Sequence, residues 1–431
     1  MTVIAFIIGV VLLVVGLAVS IALHEVGHLV PAKRFGVRVG QYMIGFGPTL
    51  WSRRFGETEY GFKAIPLGGY ISMAGMYPPS PGAEGRAGGG FFATMVQDAR
   101  AANEETLVAT GERRAFYELP VHQRIIIMLG GPVMNLLLAF VLFAIVFSGI
   151  GVQTATTTVA AVNECVLPAG TTQTACSDAD PASPAAAGGI LPGDVLVSVD
   201  GTEVTTFADA SAIIQAAPDR RLDIVVERNG QTLPLQVTPL LAEREIAGPD
   251  GEVTTAEVGF VGMTAAVEYV RQPIWAGPAS AIDQTGQVMG IIGQLPVKVY
   301  QTAVDLFTGQ DRDPNGPLSV VGAGRLAGEV AAIDAPVLNR VSALLGLLGS
   351  LNIALFVFNL VPLLPLDGGH VVVALWDGLK RAWAKLFRRP PPKPVDATKL
   401  VPVTFVVVIG LIVMGGVLIL ADVFNPVVLF G

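Results

Sequence analysis

Residues 1–28 read MTVIAFIIGVVLLVVGLAVSIALHEVGH: a run without Asp, Glu, Lys or Arg up to position 24, then an acid set between two histidines. A bilayer core of roughly 30 Å needs about 20 apolar residues in a helix, so the run is long enough to span one. Positions i and i+4 share a helix face, so His24 and His28 can aim both imidazoles at one point. Glu25 lies beside them and is the only acid in the first 56 residues. An ionisable group at membrane depth is costly, which makes it a functional candidate by default. A cleaved signal peptide is the competing reading of the run. The lack of a basic leader and of a small-residue cleavage site argues against it.

Three further stretches, 125–163, 341–366 and 401–421, also carry no Asp, Glu, Lys or Arg. The whole chain has 431 residues, 52% hydrophobic and only 14% charged, with a mean hydropathy of +0.60. A soluble domain carries roughly 25% charged residues, so a water-soluble or disordered chain is excluded. The net charge of −8 and the absence of a basic stripe over the chain also exclude a nucleic-acid partner. The expected fold is a polytopic α-helical membrane protein of about four transmembrane helices. A re-entrant β-hairpin region and one extracytoplasmic PDZ-like mixed α/β domain complete it.

Charge placement sets the expected topology. Lys33, Arg34 and Arg38 follow the first run, and Lys380, Arg381, Lys385, Arg388, Arg389 and Lys393 follow the third. Residues 151–272 instead hold 16 acids and 5 bases. The charge-free runs give spans at 1–30, 122–150, 341–370 and 401–424, and the positive-inside rule orients them. It puts 31–121 in the cytoplasm, as a re-entrant β region followed by a flexible loop over 77–112, and 371–400 there as a basic loop. A PDZ-like domain at 151–265, helices on the outer membrane surface at 266–340, and both termini fall outside. A solvated linker with two short helices is the alternative for the second of these segments. The protein is expected in the cytoplasmic membrane of a bacterium, against membrane lipid.

Between the spans, 40–75 reads as strands and turns, with Gly45-Phe46-Gly47-Pro48 as a turn signal. The run Gly189-Ile190-Leu191-Pro192-Gly193-Asp194, followed by alternating β-branched residues and Asp200-Gly201, resembles the core of a PDZ domain. Such domains bind peptide ends by adding a strand to a sheet edge. Asn229-Gly230 marks a hairpin between 222–227 and 233–237. Cys165 and Cys176 both fall in the expected outer region, where a disulfide can form; two unpaired small residues are the alternative.

Zinc suits the paired histidines, with an open position for water and Glu25 placed to take a proton from that water. Two histidines leave such a site one protein ligand short. Asp367 is the expected third, because it sits just before a basic cluster, as His28 does, and Pro362 and Pro365 break the helix ahead of it. His370 is its rival.

His24-Glu25-Val26-Gly27-His28 in a first span, with Asn359…Pro362…Leu366-Asp367-Gly368 in a third, resembles the site-2 protease family of intramembrane zinc metalloproteases. The PDZ-like run points to the bacterial branch that includes the regulator of sigma-E protease, in a single-PDZ, actinobacterial-like form. Gly131-Pro132-Val133-Met134-Asn135 matches a further motif of that branch. The resemblance implies that His24, His28 and Asp367 bind Zn2+ and that Glu25 is the general base. It implies that Asn359 binds substrate backbone and that Pro362 shapes the break. Gly45 and Gly47, with 62–70, would belong to a β element that pairs with unwound substrate. The implied substrates are single-span membrane proteins, either trimmed anti-sigma factors or signal-peptide remnants, cut during regulated intramembrane proteolysis. Two other classes compete: a non-proteolytic PDZ scaffold with a structural metal, and an ion transporter, which the lack of an internal repeat disfavours.

Overall fold

The computed structural model describes residues 2–76, 95–97, 114–167, 175–177, 180–247, 253–313 and 316–427. The loop expected over 77–112 lies outside them apart from 95–97. The chain divides into two compact units, Met1–Ile150 with Pro273–Gly431, and Gly151–Gln272.

Four helices of the first unit are long and apolar enough to cross a membrane, over Val3–Arg34, Val121–Ile150, Val337–Asn359 and Ala397–Phe424. They form because a helix satisfies every backbone group internally, the condition for crossing hydrocarbon. α1 (Thr2–Arg34) ends on the cations Lys33 and Arg34, which complement its C-terminal dipole. α2 (Val121–Ala144) continues through a π-helical turn, Ile145–Ile150. The two helices meet backbone to backbone: a Cβ on Gly27 would lie 2.2 Å from the Gly130 carbonyl oxygen, and one on Gly130 1.9 Å from that of Gly27. Close approach through small residues is how helices associate where lipid removes the hydrophobic drive between them.

β1 (Val39–Phe55) and β2 (Thr58–Met73) form a hairpin that doubles back on itself. Gln41 pairs with both Ser72 and Glu59, so the start of β1 lies between the two halves of β2. The bend falls at Gly45 and Gly47, with φ of 93° and 84°, a region open to glycine. Tyr42 ties the sheet to α1 by donating its hydroxyl to the Ala22 carbonyl at 2.8 Å.

The second unit is a sheet in the order β10-β3-β4-β6-β7, with β5 against β4 and a separate β8-β9 ladder. These are β3 (Val152–Val162), β4 (Val195–Val199), β5 (Thr202–Glu203), β6 (Leu222–Arg228), β7 (Gln231–Val237), β8 (Leu240–Ala247), β9 (Val253–Phe260) and β10 (Met263–Val270). Two helices join them, the short α3 (Pro184–Ala187) and α4 (Phe207–Gln215), the latter with a Thr206–Asp209 capping box. Val159, Ile190, Leu196, Leu222, Ile224 and Val226 fill its core. The Asn229-Gly230 turn has both residues at positive φ, as a two-residue hairpin loop requires. A boundary was expected at 265; β10 instead runs on to Val270, paired antiparallel with β3. A disulfide joins Cys165 to Cys176.

Back in the first unit, α5 (Ala276–Thr308) passes Pro296 unbroken, and α6 (Val320–Ala332) follows. α7 (Val337–Asn359) stops before the Pro-rich run, and α8 (Asp367–Leu386) starts after it. Most of the basic loop expected over 371–400 is therefore helix. α9 (Val401–Phe424) ends the fold, and buried Asp422 near its end accepts the Ser319 N–H at 2.7 Å and pairs with buried Arg312.

In the second unit, buried Asp194 accepts Arg228 Nε at 2.6 Å and Nη2 at 2.7 Å, and the Leu191 N–H at 2.8 Å. The Arg228 guanidinium holds the Asp194 carboxyl below its ordinary range. A depressed acid stabilises the fold above its unfolded pKa, and this contribution is lost as pH falls through the folded one. In hydrogen exchange on the full chain, Arg228→Met should speed exchange over 189–228 at pH 7. The difference from wild type should begin to narrow below about pH 4, the range of a free Asp, and close only once pH has fallen through the depressed value.

Candidate metal centre

α1 delivers His24, Glu25 and His28 from its last three turns, and the first residue of α8 delivers Asp367. The helix must break before Asp367 for this to happen. Leu360 to Leu366 turn tightly instead, with Leu363 N–H on the Val361 carbonyl and Leu366 N–H on that of Leu363. Gly368 and Gly369 let α8 fold back against this run: a Cβ at either would lie 2.4–2.6 Å from backbone atoms of Leu360 and Leu364.

The three candidate ligands converge. His24 Nε2 and His28 Nε2 are 3.2 Å apart, and they lie 3.3 and 3.4 Å from Asp367 Oδ2. A tetrahedral ion with bonds of about 2.0–2.1 Å separates its ligands by about 3.3–3.4 Å, so these spacings match the edges of one zinc shell. The donor chemistry agrees. His28 Nδ1 is 2.7 Å from the Ile127 carbonyl oxygen, which can only accept, so Nδ1 carries the proton and Nε2 presents its lone pair. Asp367 Oδ2 is buried without a hydrogen-bond partner. Lone pairs gathered in a buried site repel unless a cation lies among them. Among the described residues this is the one group of three or more His, Cys, Asp or Glu side chains able to hold an ion.

α2 walls the centre from behind. A Cβ on Gly131 would lie 2.2 Å from His28 Nε2 and 2.7 Å from His24 Nε2, so only glycine leaves room for both rings. The Asn135 side-chain amide reaches to 3.2 Å of His24 Nδ1. In the sequence Asn135 stands out only as the last residue of the Gly131–Asn135 motif. A lone amide in an uncharged span was the available signal.

Glu25 is buried, and β2 lies against it. A Cβ on Gly69 would stand 2.9 Å from Glu25 Cγ and 3.1 Å from its Oε1. The remaining sequence candidates stand outside the triad. Asn359, the last residue of α7, donates its amide to the Leu355 carbonyl at 3.0 Å. Pro362 lies in the break, and Gly45 and Gly47 form the bend of β1. His370 lies in the first turn of α8, one turn on from Asp367.

The comparisons point the same way as this geometry. The profile of peptidase family M50 matches residues 12–389. The zinc metalloprotease Rip1 of Mycobacterium tuberculosis is 34% identical over 99% of both chains, and Rip1 of Mycolicibacterium smegmatis 34% over 98% of this chain and 99% of its own. The metalloprotease MmpA of Caulobacter vibrioides is 29% identical over 88% of each. With the match covering most of its length, the chain belongs to peptidase family M50 and is a multi-pass intramembrane zinc metalloprotease.

Proposed function

We propose that the chain hydrolyses peptide bonds in the transmembrane segments of single-span membrane proteins, with His24, His28 and Asp367 as zinc ligands and Glu25 as general base. The observation that carries this reading is the match between the three ligand spacings and a zinc shell beside a buried acid. Zinc, when bound, supplies the Lewis acidity that activates water and the scissile carbonyl.

The chain's own residues do the rest. Glu25, one residue from His24 and buried near the centre, takes the proton of the attacking water and passes it to the leaving amine. A substrate helix shields its carbonyls with its own hydrogen bonds, so it must be extended before attack. The β1–β2 sheet, bent at Gly45 and Gly47, offers strand pairing for that purpose. Pro362 keeps the break unwound, and Asn359 stands at its edge to bind substrate backbone.

Asn135 and Ile127 orient the imidazoles. Asn135 Oδ1 is buried without a partner, and a half-turn of the amide lets it accept the Nδ1 proton of His24. Both histidines then present Nε2, the arrangement a metal requires.

We assign the β-rich unit as a PDZ-like domain outside the cell, with 31–121 and 371–400 in the cytoplasm. Its peptide site is the cavity of about 230 Å³ beside α4, lined by Phe207, Ile214, Phe260 and Met263. Arg244, 4.1 Å over the Phe260 ring, supplies a cation for a peptide end. The substrate class is an anti-sigma factor trimmed by another protease, or a signal-peptide remnant.

Glu25→Gln should keep its zinc and lose cleavage of a single-span reporter by about 10²–10⁴-fold. Ordinary cleavage by that variant would rule out the base. Asn135→Leu should weaken zinc binding by about 10–100-fold, read by competition with a chelator. Gly131→Ala should bring the purified protein close to metal-free, since the added methyl occupies the space of the His28 ring nitrogen.

A further inference from the structure

We propose that α8 is an interfacial helix whose outer face docks on anionic phospholipid. The proposal stands apart from the catalytic assignments and holds whichever residues bind the metal.

At about 100° per residue, Val372, Leu375, Trp376, Leu379, Trp383 and Leu386 fall on one stripe of the helix. The last five are each more than half exposed. The stripe cannot roll inward, because the opposite face is fixed. Ala374, Asp377 and Ala384 are buried there. Asp377 accepts Arg124 Nη1 of α2 at 3.1 Å, with both side chains buried, and also the Val395 N–H at 2.9 Å. Arg124 thereby locks α8 to α2, and Val395 locks the Pro-rich segment to α8.

Cations gather at the C-terminal end of the stripe. Arg381, Lys385, Arg388 and Arg389 are exposed, and residues 380–393 hold six Lys or Arg and no acid. An exposed apolar face that ends in a cluster of cations, with two tryptophans in it, matches a surface of acyl chains under anionic headgroups. α5 makes the contrast. It too exposes Ile282, Met289 and Phe307, but its residues include two acids, Asp283 and Asp305, and one base, Lys298. Apolar exposure is common to both helices; the charge that selects anionic lipid belongs to α8. Because α8 begins with Asp367, its seat on the membrane also sets the depth of that carboxylate.

The native cysteines are bridged, so a single introduced cysteine can carry a spin label alone. Leu379→Cys, Ala382→Cys and, as a control on α5, Met289→Cys should be labelled in the full-length protein. Each is reconstituted in phosphatidylcholine vesicles with and without phosphatidylglycerol. At 379 the label should be more accessible to oxygen than to a water-soluble nickel chelate. Phosphatidylglycerol should shift the 382 label deeper and leave the 289 label unmoved. The shift should vanish when Arg381, Lys385, Arg388 and Arg389 are changed to Gln. Nickel access at 379 equal to that of a solvated site would overturn the proposal, as would a 382 label indifferent to lipid charge. Dipolar broadening between labelled copies would give the face to a second protein molecule. An identical shift with inorganic phosphate in place of the lipid would also count against it.

Discussion

Two imidazole nitrogens and a carboxylate oxygen, packed 3.2–3.4 Å apart where a membrane helix ends, form the constraint on which the rest of the structure depends. Without a cation, such a cluster leaves buried lone pairs facing one another, and folding alone gives no reason to keep it. The surrounding features all serve to bring these atoms together or to keep other atoms away. The helix break at 360–366 carries Asp367 in from a separate helix, and the paired glycines Gly27 and Gly130 set α1 directly against α2.

α2 acts as the frame for the whole centre. Arg124, Ile127, Gly131 and Asn135 lie three or four residues apart, so they line one face of that helix. Arg124 fixes α8, the Ile127 carbonyl fixes the tautomer of His28, Gly131 yields space to both rings, and Asn135 reaches His24. One rigid helix thus contacts or positions every element that supplies a candidate ligand. β2 completes the enclosure by laying Gly69 on Glu25, which brings an extended strand to the proposed base.

The parts of this arrangement that are local in sequence were legible there. The i, i+4 histidines need only helix geometry, and the charge-free runs mark the spans by length alone. Asp367 was reachable because two prolines announced a break at the right depth. Contacts between distant residues were not legible: Arg124 with Asp377, Arg312 with Asp422, and Gly69 with Glu25 each join segments whose pairing only the packed helices define. The curl of 39–73 was hidden for the same reason, since Gln41 pairs twice and a strand pattern does not record its partners. In α8 the signal was present but masked. Its clustered cations have the composition of a solvated loop, although the apolar residues between them keep a helical period.

The most direct test of the central claim is the ligand shell of the zinc-loaded protein by X-ray absorption, together with the zinc content of two variants. Two imidazoles and oxygen donors in the shell, with metal lost in Asp367→Ala and kept in His370→Ala, is the result that the converging triad predicts. A shell of three imidazoles, with metal kept in Asp367→Ala and lost in His370→Ala, would contradict it.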